Sequence, residues 1–183
     1  MTMKALLPHI DKSWTLFLDR DGVINKRIVD GYVVQWADFE FLDGVLEALS
    51  FMSGLFGRIV VVTNQQCVAK GLVSEEGINA ISREMCQAAA RHGATIDAVI
   101  MCPQLATDPD NYRKPNPRMA FIAKEMMPEI DFAKSVMVGD SESDILFGKN
   151  VGMVTVKVAG HSDVADYNFD TLYDFSKQIK DER

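Results

Sequence analysis

Cysteine is scarce in this sequence: Cys67, Cys86 and Cys102 are the only three in 183 residues, and no Cys-x-x-Cys pair occurs. An odd, widely spaced set argues against a disulfide framework and reads as reduced thiols, as expected in the cytoplasm. No Pro-, Gly- or Ser-rich linker and no internal repeat interrupts the chain. One domain over residues 1–183 is therefore expected, large enough to bury a core unaided. No apolar run approaches the roughly 20 residues that span a bilayer. The stretch from Lys4 to Pro8 is too short for a signal-peptide core. Positive charge is also in short supply, with 19 Lys and Arg against 26 Asp and Glu and a formal net charge of -7. That balance disfavours nucleic acid or an anionic membrane as partner. It leaves a small phosphorylated metabolite open, because a local field and a bound cation override net charge. A monomer or small homo-oligomer is expected.

What is present is an alternation of two periodicities. β-prone apolar runs occur at Thr15 to Leu18, Arg58 to Thr63, Ala98 to Cys102, Ser135 to Val138 and Val154 to Val158. Helical patterns lie between them. Gly44 to Phe56 places Val45, Leu46, Leu49, Met52 and Phe56 at helical spacing. Ser74 is a candidate N-cap, followed by Glu75 and Glu76 in a first turn that suits the helix dipole. That helix should run to Arg91 and His92 and stop at Gly93. Met119 to Met127 ends at Pro128, Glu142 to Asn150 ends near Gly152, and Tyr173 to Lys180 forms a weaker terminal helix. Strands alternating with helices predict an α/β fold, a doubly wound and mainly parallel sheet with helices on both faces.

In such a sheet the loops after the strands converge on one edge, where ligands bind. Asp19 and Asp21 follow the first strand, and Gly22 lets the chain turn just beyond them. Thr63, Asn64 and Gln65 follow the second. Asp140 follows Val136-Met137-Val138-Gly139, with Asp144 one helical turn on, and Arg113 and Lys114 precede a helix. Acids gathered this closely need a cation to offset their repulsion and desolvation. Mg²⁺ takes about six oxygens and usually keeps waters. Asp19, Asp140 and the main chain near Asp21 would supply the protein oxygens. A free oxygen of Asp19 would attack phosphorus, giving an aspartyl-phosphate. Asp21 would protonate the leaving alkoxide and then deprotonate the hydrolytic water. Thr63 and Lys114 would hold the phosphoryl oxygens, and Asp144 would orient Lys114 or a metal-bound water. Nothing here needs a nucleotide or an organic cofactor.

Each residue also has a plainer reading. Asp-x-Asp-Gly alone suits a turn or a calcium loop, but Val23 and Ile24 occupy positions where an EF-hand needs an oxygen ligand and a turn glycine. Asp140 and Asp144 alone would be an N-cap and a solvated residue, Lys114 a surface charge, and Thr63 the end of a β-branched strand. Their joint recurrence at strand ends favours the site.

These residues resemble the four motifs of the haloacid dehalogenase phosphatase superfamily: Asp19-Arg20-Asp21-Gly22, Thr63, Lys114, and Gly139-Asp140 with Asp144. The resemblance spans roughly Thr15 to Val158 and implies a Rossmann-like fold, Mg²⁺ and the two-step reaction. Phe17 to Asn25, Gly31-Tyr32, Phe39 to Val45, Thr63-Asn64-Gln65 and Arg113-Lys114-Pro115 further resemble the histidinol-phosphate and heptose-bisphosphate phosphatase subfamily. That resemblance implies substrate contacts from Gly31, Tyr32, Asn64, Gln65 and Arg113. It implies hydrolysis of a small sugar phosphate, first D-glycero-D-manno-heptose 1,7-bisphosphate at its 7-phosphate, with histidinol phosphate as the alternative.

One departure concerns the subfamily's zinc loop, Cys-x-His followed by Cys-x-Cys before Arg-Lys-Pro. Here Gln104 replaces the histidine, and Asp110 and Tyr112 replace the later cysteines. Only Cys102, with Asp110, remains of the four ligands a tetrahedral site needs, so no structural zinc is expected. The short interval from Asp21 to Thr63 leaves room for a flap (Asn25 to Trp36) and one helix but no separate cap domain. A competing class is a phospho-accepting receiver domain, which also gathers aspartates, threonine, lysine and Mg²⁺ on a doubly wound sheet. A receiver draws its acidic pair and phosphoacceptor from different strands, unlike Asp19-x-Asp21.

Overall fold

A computed structural model describes residues 9–182 of the chain. The N-terminal stretch from Lys4 to Pro8 lies outside the described residues. Six parallel strands form one sheet in the order β3-β2-β1-β4-β5-β6. They are β1 Thr15–Leu18, β2 Arg58–Asn64, β3 Ala98–Cys102, β4 Ser135–Gly139, β5 Val154–Lys157 and β6 Tyr167–Asn168. The helices are α1 Val45–Leu55, α2 Glu75–Arg91, α3 Arg118–Met126, α4 Glu142–Lys149 and α5 Leu172–Asp181. Five strands and five helices fall where the periodicity puts them, and the α/β, doubly wound reading holds. The edge strand β6 was not expected, because two residues are too few to show any period.

Strand alternation divides the core in two. Along β1, Leu16 and Leu18 point into an apolar layer with Val45, Leu49 and Met52 of α1, Ile78, Ile81 and Met85 of α2, and Phe175 and Ile179 of α5. Phe17 points the other way, into a layer with Met119 and Ala123 of α3 and Phe147 of α4. Successive side chains of a strand face opposite sides, so a run buried on both faces must be continuously apolar. That is why Thr15–Leu18 and Arg58–Asn64 carry no alternating polar residues in their centres.

Local chemistry starts the helices where they are needed. The Ser74 hydroxyl accepts from Gly77 N at 3.0 Å and caps α2. Thr171 caps α5 through Asp174 N at 3.0 Å. Ser141 and Asp144 form a reciprocal capping box at α4. Gly44, at φ 72°, starts α1 against the ring of Tyr173, where an added Cβ would lie 2.6 Å from the nearest ring carbon. All three cysteines are free. Among the described residues no helix is long and apolar enough to cross a membrane.

Phe17, fully buried at the centre of the sheet, measures the core. Phe17→Ala should lower unfolding free energy by about 3–5 kcal/mol in urea titrations, with little change in the m-value. A loss below about 1 kcal/mol would mean that the layer around α3 and α4 is not tightly packed.

Candidate active site

The central strands β1, β2 and β4 end side by side, and the site is built at those ends. Asp19 N donates to Val138 O at 3.0 Å, so the chain leaves β1 still hydrogen-bonded to β4. The Lys114 ammonium enters this junction from the loop before α3 and is almost wholly buried. It lies 2.7 Å from Asp19 Oδ1, 2.6 Å from Asp144 Oδ1 and 2.7 Å from the carbonyl of Val62. Three protein oxygens thus surround its three donors. Asn64 fixes the lysine's backbone by accepting from Lys114 N at 3.0 Å.

Above this junction is a cleft of about 200 Å³. Asp19, Asp21, Thr63, Asn64, Arg113, Lys114, Asp140 and Asp144 all line it. So do Gly31 and Tyr32 of the flap. Eight of the nine expected site residues therefore meet in one place.

Gln65 does not line that cleft. Its side chain is buried, with Nε2 donating to Asp21 Oδ2 at 2.8 Å and to Thr63 Oγ1 at 2.9 Å. The ladder continues one residue past β2, since Gln65 N donates to Cys102 O at 2.8 Å. Residues i and i+2 of an extended chain share a face, which puts Gln65 beside Thr63. Direct substrate contact by Gln65 is therefore corrected to contact with its neighbours. Gln66, not expected, lines the cleft instead and donates to Tyr32 Oη at 2.8 Å, while Lys70 Nζ donates to the same hydroxyl at 2.7 Å.

The carboxylates separate into two groups. Asp19, Asp140 and Asp144 each offer an oxygen, all within 4.8 Å of one another. Gly22 (φ 94°) permits this closeness, because an added Cβ would lie 2.2 Å from Asp140 Oδ2. Asp21 is outside that cluster, its carboxylate turned toward Arg20, Asn25 and Gln65. With the carboxylate so engaged, the part of Asp21 left available to a metal is its main chain, the contact expected from the sequence. Asp144 has one oxygen on Lys114 and the other accepting from Ser141 N at 3.0 Å and Ser141 Oγ at 2.6 Å. A hard cation is thus fitted chiefly by Asp19 and Asp140. Arg27, from the flap, pairs with Asp140 Oδ2 at 3.2 Å.

The cluster is rich in negative charge, and its titration follows. Burial pushes the Asp19 carboxyl up to about 7, against the pull of Lys114 and with a push from Asp144. Burial, with Asp144 beside it, also raises Asp140, and Arg27 opposes the rise. Burial would lower Lys114, but the Asp144 and Asp19 carboxylates outweigh it and hold the ammonium above its usual value.

The altered loop before Arg113 is closed by hydrogen bonds. Gln104 Oε1 accepts from Tyr112 N at 3.0 Å and from the Cys102 thiol at 3.6 Å. Arg113 Nη1 donates to Gln104 O at 3.2 Å, and Asp108 accepts from Leu105 N at 2.9 Å. His161 pairs with exposed Asp163 and does not line the cleft.

Known proteins are similar to this chain in sequence and in fold. A family model described as HAD-hydrolase-like matches residues 111–171. D-glycero-alpha-D-manno-heptose-1,7-bisphosphate 7-phosphatase of Mycobacterium bovis is 38% identical over 173 residues, 91% of each chain. The chain belongs to the haloacid dehalogenase superfamily of phosphatases. A D-glycero-beta-D-manno-heptose-1,7-bisphosphate 7-phosphatase of Vibrio cholerae is 37% identical over 147 residues, 76% of this chain and 77% of that one. Among solved structures, D,D-heptose 1,7-bisphosphate phosphatase from B. bronchiseptica, complexed with magnesium and phosphate, superposes with a TM-score of 0.83 at 28% identity. It covers 93% of this chain and 99% of its own. As a haloacid dehalogenase-type phosphatase, the chain hydrolyses phosphoesters through an aspartyl intermediate.

The raised Asp19 carboxyl has a consequence for stability. Its folded value, about 7, lies above its ordinary 3.8. Its contribution therefore favours the fold at low pH and is lost as pH rises toward 7. At pH 8, metal-free Asp19→Asn should melt about 3 °C or more above metal-free wild type. The gap should close as pH falls to 5, and Mg²⁺ should narrow it by stabilising only the wild type. Calorimetry in EDTA and in MgCl₂ measures this, and a variant melting lower at pH 8 would sink the charge argument.

Proposed function

We propose that the chain is a Mg²⁺-dependent phosphomonoesterase removing the 7-phosphate of D-glycero-D-manno-heptose 1,7-bisphosphate in the cytoplasm. The observation that supports it most is the junction of Asp19, Lys114 and Asp140 in a cleft that Arg27 and Arg113 also line. A sugar with two phosphates places one over the junction and the other near a rim cation. The relatives named above act on heptose bisphosphates, and they favour this sugar over histidinol phosphate. The hydrogen bonds of Gln104 support a loop held without structural zinc.

In this reading Asp19 is the nucleophile. One of its oxygens bonds to phosphorus as the P–O bond to the sugar breaks, and the departing alkoxide takes a proton from Asp21. Asp21 then removes a proton from water, whose oxygen attacks phosphorus and breaks the bond to Asp19, releasing inorganic phosphate. Lys114 neutralises the phosphoryl oxygens and keeps Asp19 in place. Thr63 Oγ1 already accepts from Gln65, so its own hydrogen is free to donate to a phosphoryl oxygen. Mg²⁺, held by Asp19, Asp140 and a main-chain oxygen near Asp21, would offset the charge that the phosphate brings. Asn64 positions Lys114 by hydrogen bonds in both directions, while Arg113 and the Tyr32 flap contact the sugar end.

A panel of phosphate esters tests the reading, including both anomers of the bisphosphate because the relatives divide between them. The heptose bisphosphate should exceed histidinol phosphate in kcat/KM by about tenfold or more, roughly 1.4 kcal/mol of transition-state preference. The reverse order would refute the substrate. Asp19→Asn should abolish turnover, and Asp21→Asn should slow it by about 100-fold or more while a trappable aspartyl-phosphate accumulates. An unchanged kcat in Asp21→Asn would remove its proton-shuttle role.

A further inference from the structure

Arg20 is the largest fully buried side chain in the structure, yet it is charged. A guanidinium out of water is costly unless it is paired and hydrogen-bonded. Among the described residues Arg20 is paired with one group only, the carboxylate of Asp21. Its Nη2 donates to Asp21 Oδ1 at 3.0 Å and Oδ2 at 2.9 Å, and its Nε lies 3.3 Å from Oδ1. Its Nη1 is buried and has no hydrogen-bond partner among the described residues. Structure alone would be served more cheaply by an apolar residue there, since replacing buried ion pairs with packed apolar groups is often neutral or stabilising.

Two further side chains converge on the same carboxylate. Asn25 Nδ2 donates to Oδ1 at 2.9 Å and Gln65 Nε2 to Oδ2 at 2.8 Å. The Gln65 amide has its orientation set from behind, because its Oε1 accepts from the buried Cys67 thiol at 3.4 Å. Asp21 is therefore gripped on both oxygens from the protein side while its side chain remains 26% exposed toward the cleft.

We propose that Arg20, with Asn25 and Gln65, is a positioning clamp that fixes the Asp21 carboxylate for proton transfer to the leaving oxygen. This rests on the acid/base reading of Asp21 above. The clamp touches no reacting atom and acts only through Asp21. Through Gln65 Nε2 it also sets the distance between Asp21 and Thr63, the two groups that meet opposite ends of the breaking P–O bond. Without Arg20, Asp21 gains freedom to swing, and reactions that need a proton on the leaving group suffer most.

The test is a double-mutant cycle read by rapid-quench burst kinetics on two esters. p-Nitrophenyl phosphate expels a stable phenolate without a proton, whereas an alkyl phosphate requires one. Arg20→Met is expected to slow phosphoryl transfer from the alkyl ester by about tenfold or more, with KM little changed. Transfer from p-nitrophenyl phosphate should fall by less than about threefold, and the substitution should add less than about threefold to the loss in Asp21→Asn. Gln65→Met leaves the ion pair intact and should show the same pattern more weakly. It serves if circular dichroism shows that Arg20→Met does not fold. Equal losses on both esters, no loss, or full additivity with Asp21→Asn overturns the clamp. If Asp21→Asn itself shows no dependence on the ester, the acid/base reading fails and the clamp falls with it. If only the clamp variants lack that dependence, the clamp alone is wrong.

Discussion

A lysine ammonium withdrawn from water is the constraint on which this structure depends. Lys114 reaches its place only because Asp19, Asp144 and the Val62 carbonyl are already there, contributed from the ends of β1 and β2 and the start of α4. Removing both carboxylates would leave the buried ammonium without a counter-charge, which is among the most destabilising changes a protein can suffer. The same contacts hold together segments 95 residues apart in sequence. The proposed phosphate site and the join between the central strands are thus one object, and the fold's own order of strands brings it about.

Excess negative charge around that lysine explains the rest of the cleft. Asp19, Asp140 and Asp144 crowd together, and only part of their charge is offset by Lys114 and Arg27. Such an arrangement is poised to take up a cation and is strained in its absence, which is the usual cost of a site prepared in advance. Gly22 and Gly139 make the crowding possible, since a Cβ at either would overlap an acidic side chain.

The architecture was legible because buried parallel strands leave long apolar runs and their helices leave caps such as Ser74. Asp19, Asp21, Thr63, Lys114 and Asp140 were legible because each follows a strand or precedes a helix, where polar side chains are otherwise unneeded. The misreadings have a common origin. Gln65 and Gln66 are adjacent and chemically identical, and only the extra residue of ladder past β2 decides which faces the cleft. Parity along that ladder was a usable signal, because Gln65 is two residues from Thr63. Arg20 carries no sign of its burial in the sequence, since arginine is mostly exposed. Its burial is a product of the turn at Gly22, which no periodicity reports.

Asp144 holds two obligations at once, closing the first turn of α4 with one oxygen and the lysine with the other. A residue pinned twice has almost no room to drift, since any exchange damages helix and chemistry together. Flap residues such as Ile28 and Val29 are exposed and answer to neither. The tolerance of this enzyme to substitution is therefore expected to be uneven: exposed flap positions can change without disturbing helix or lysine, whereas Asp144 cannot.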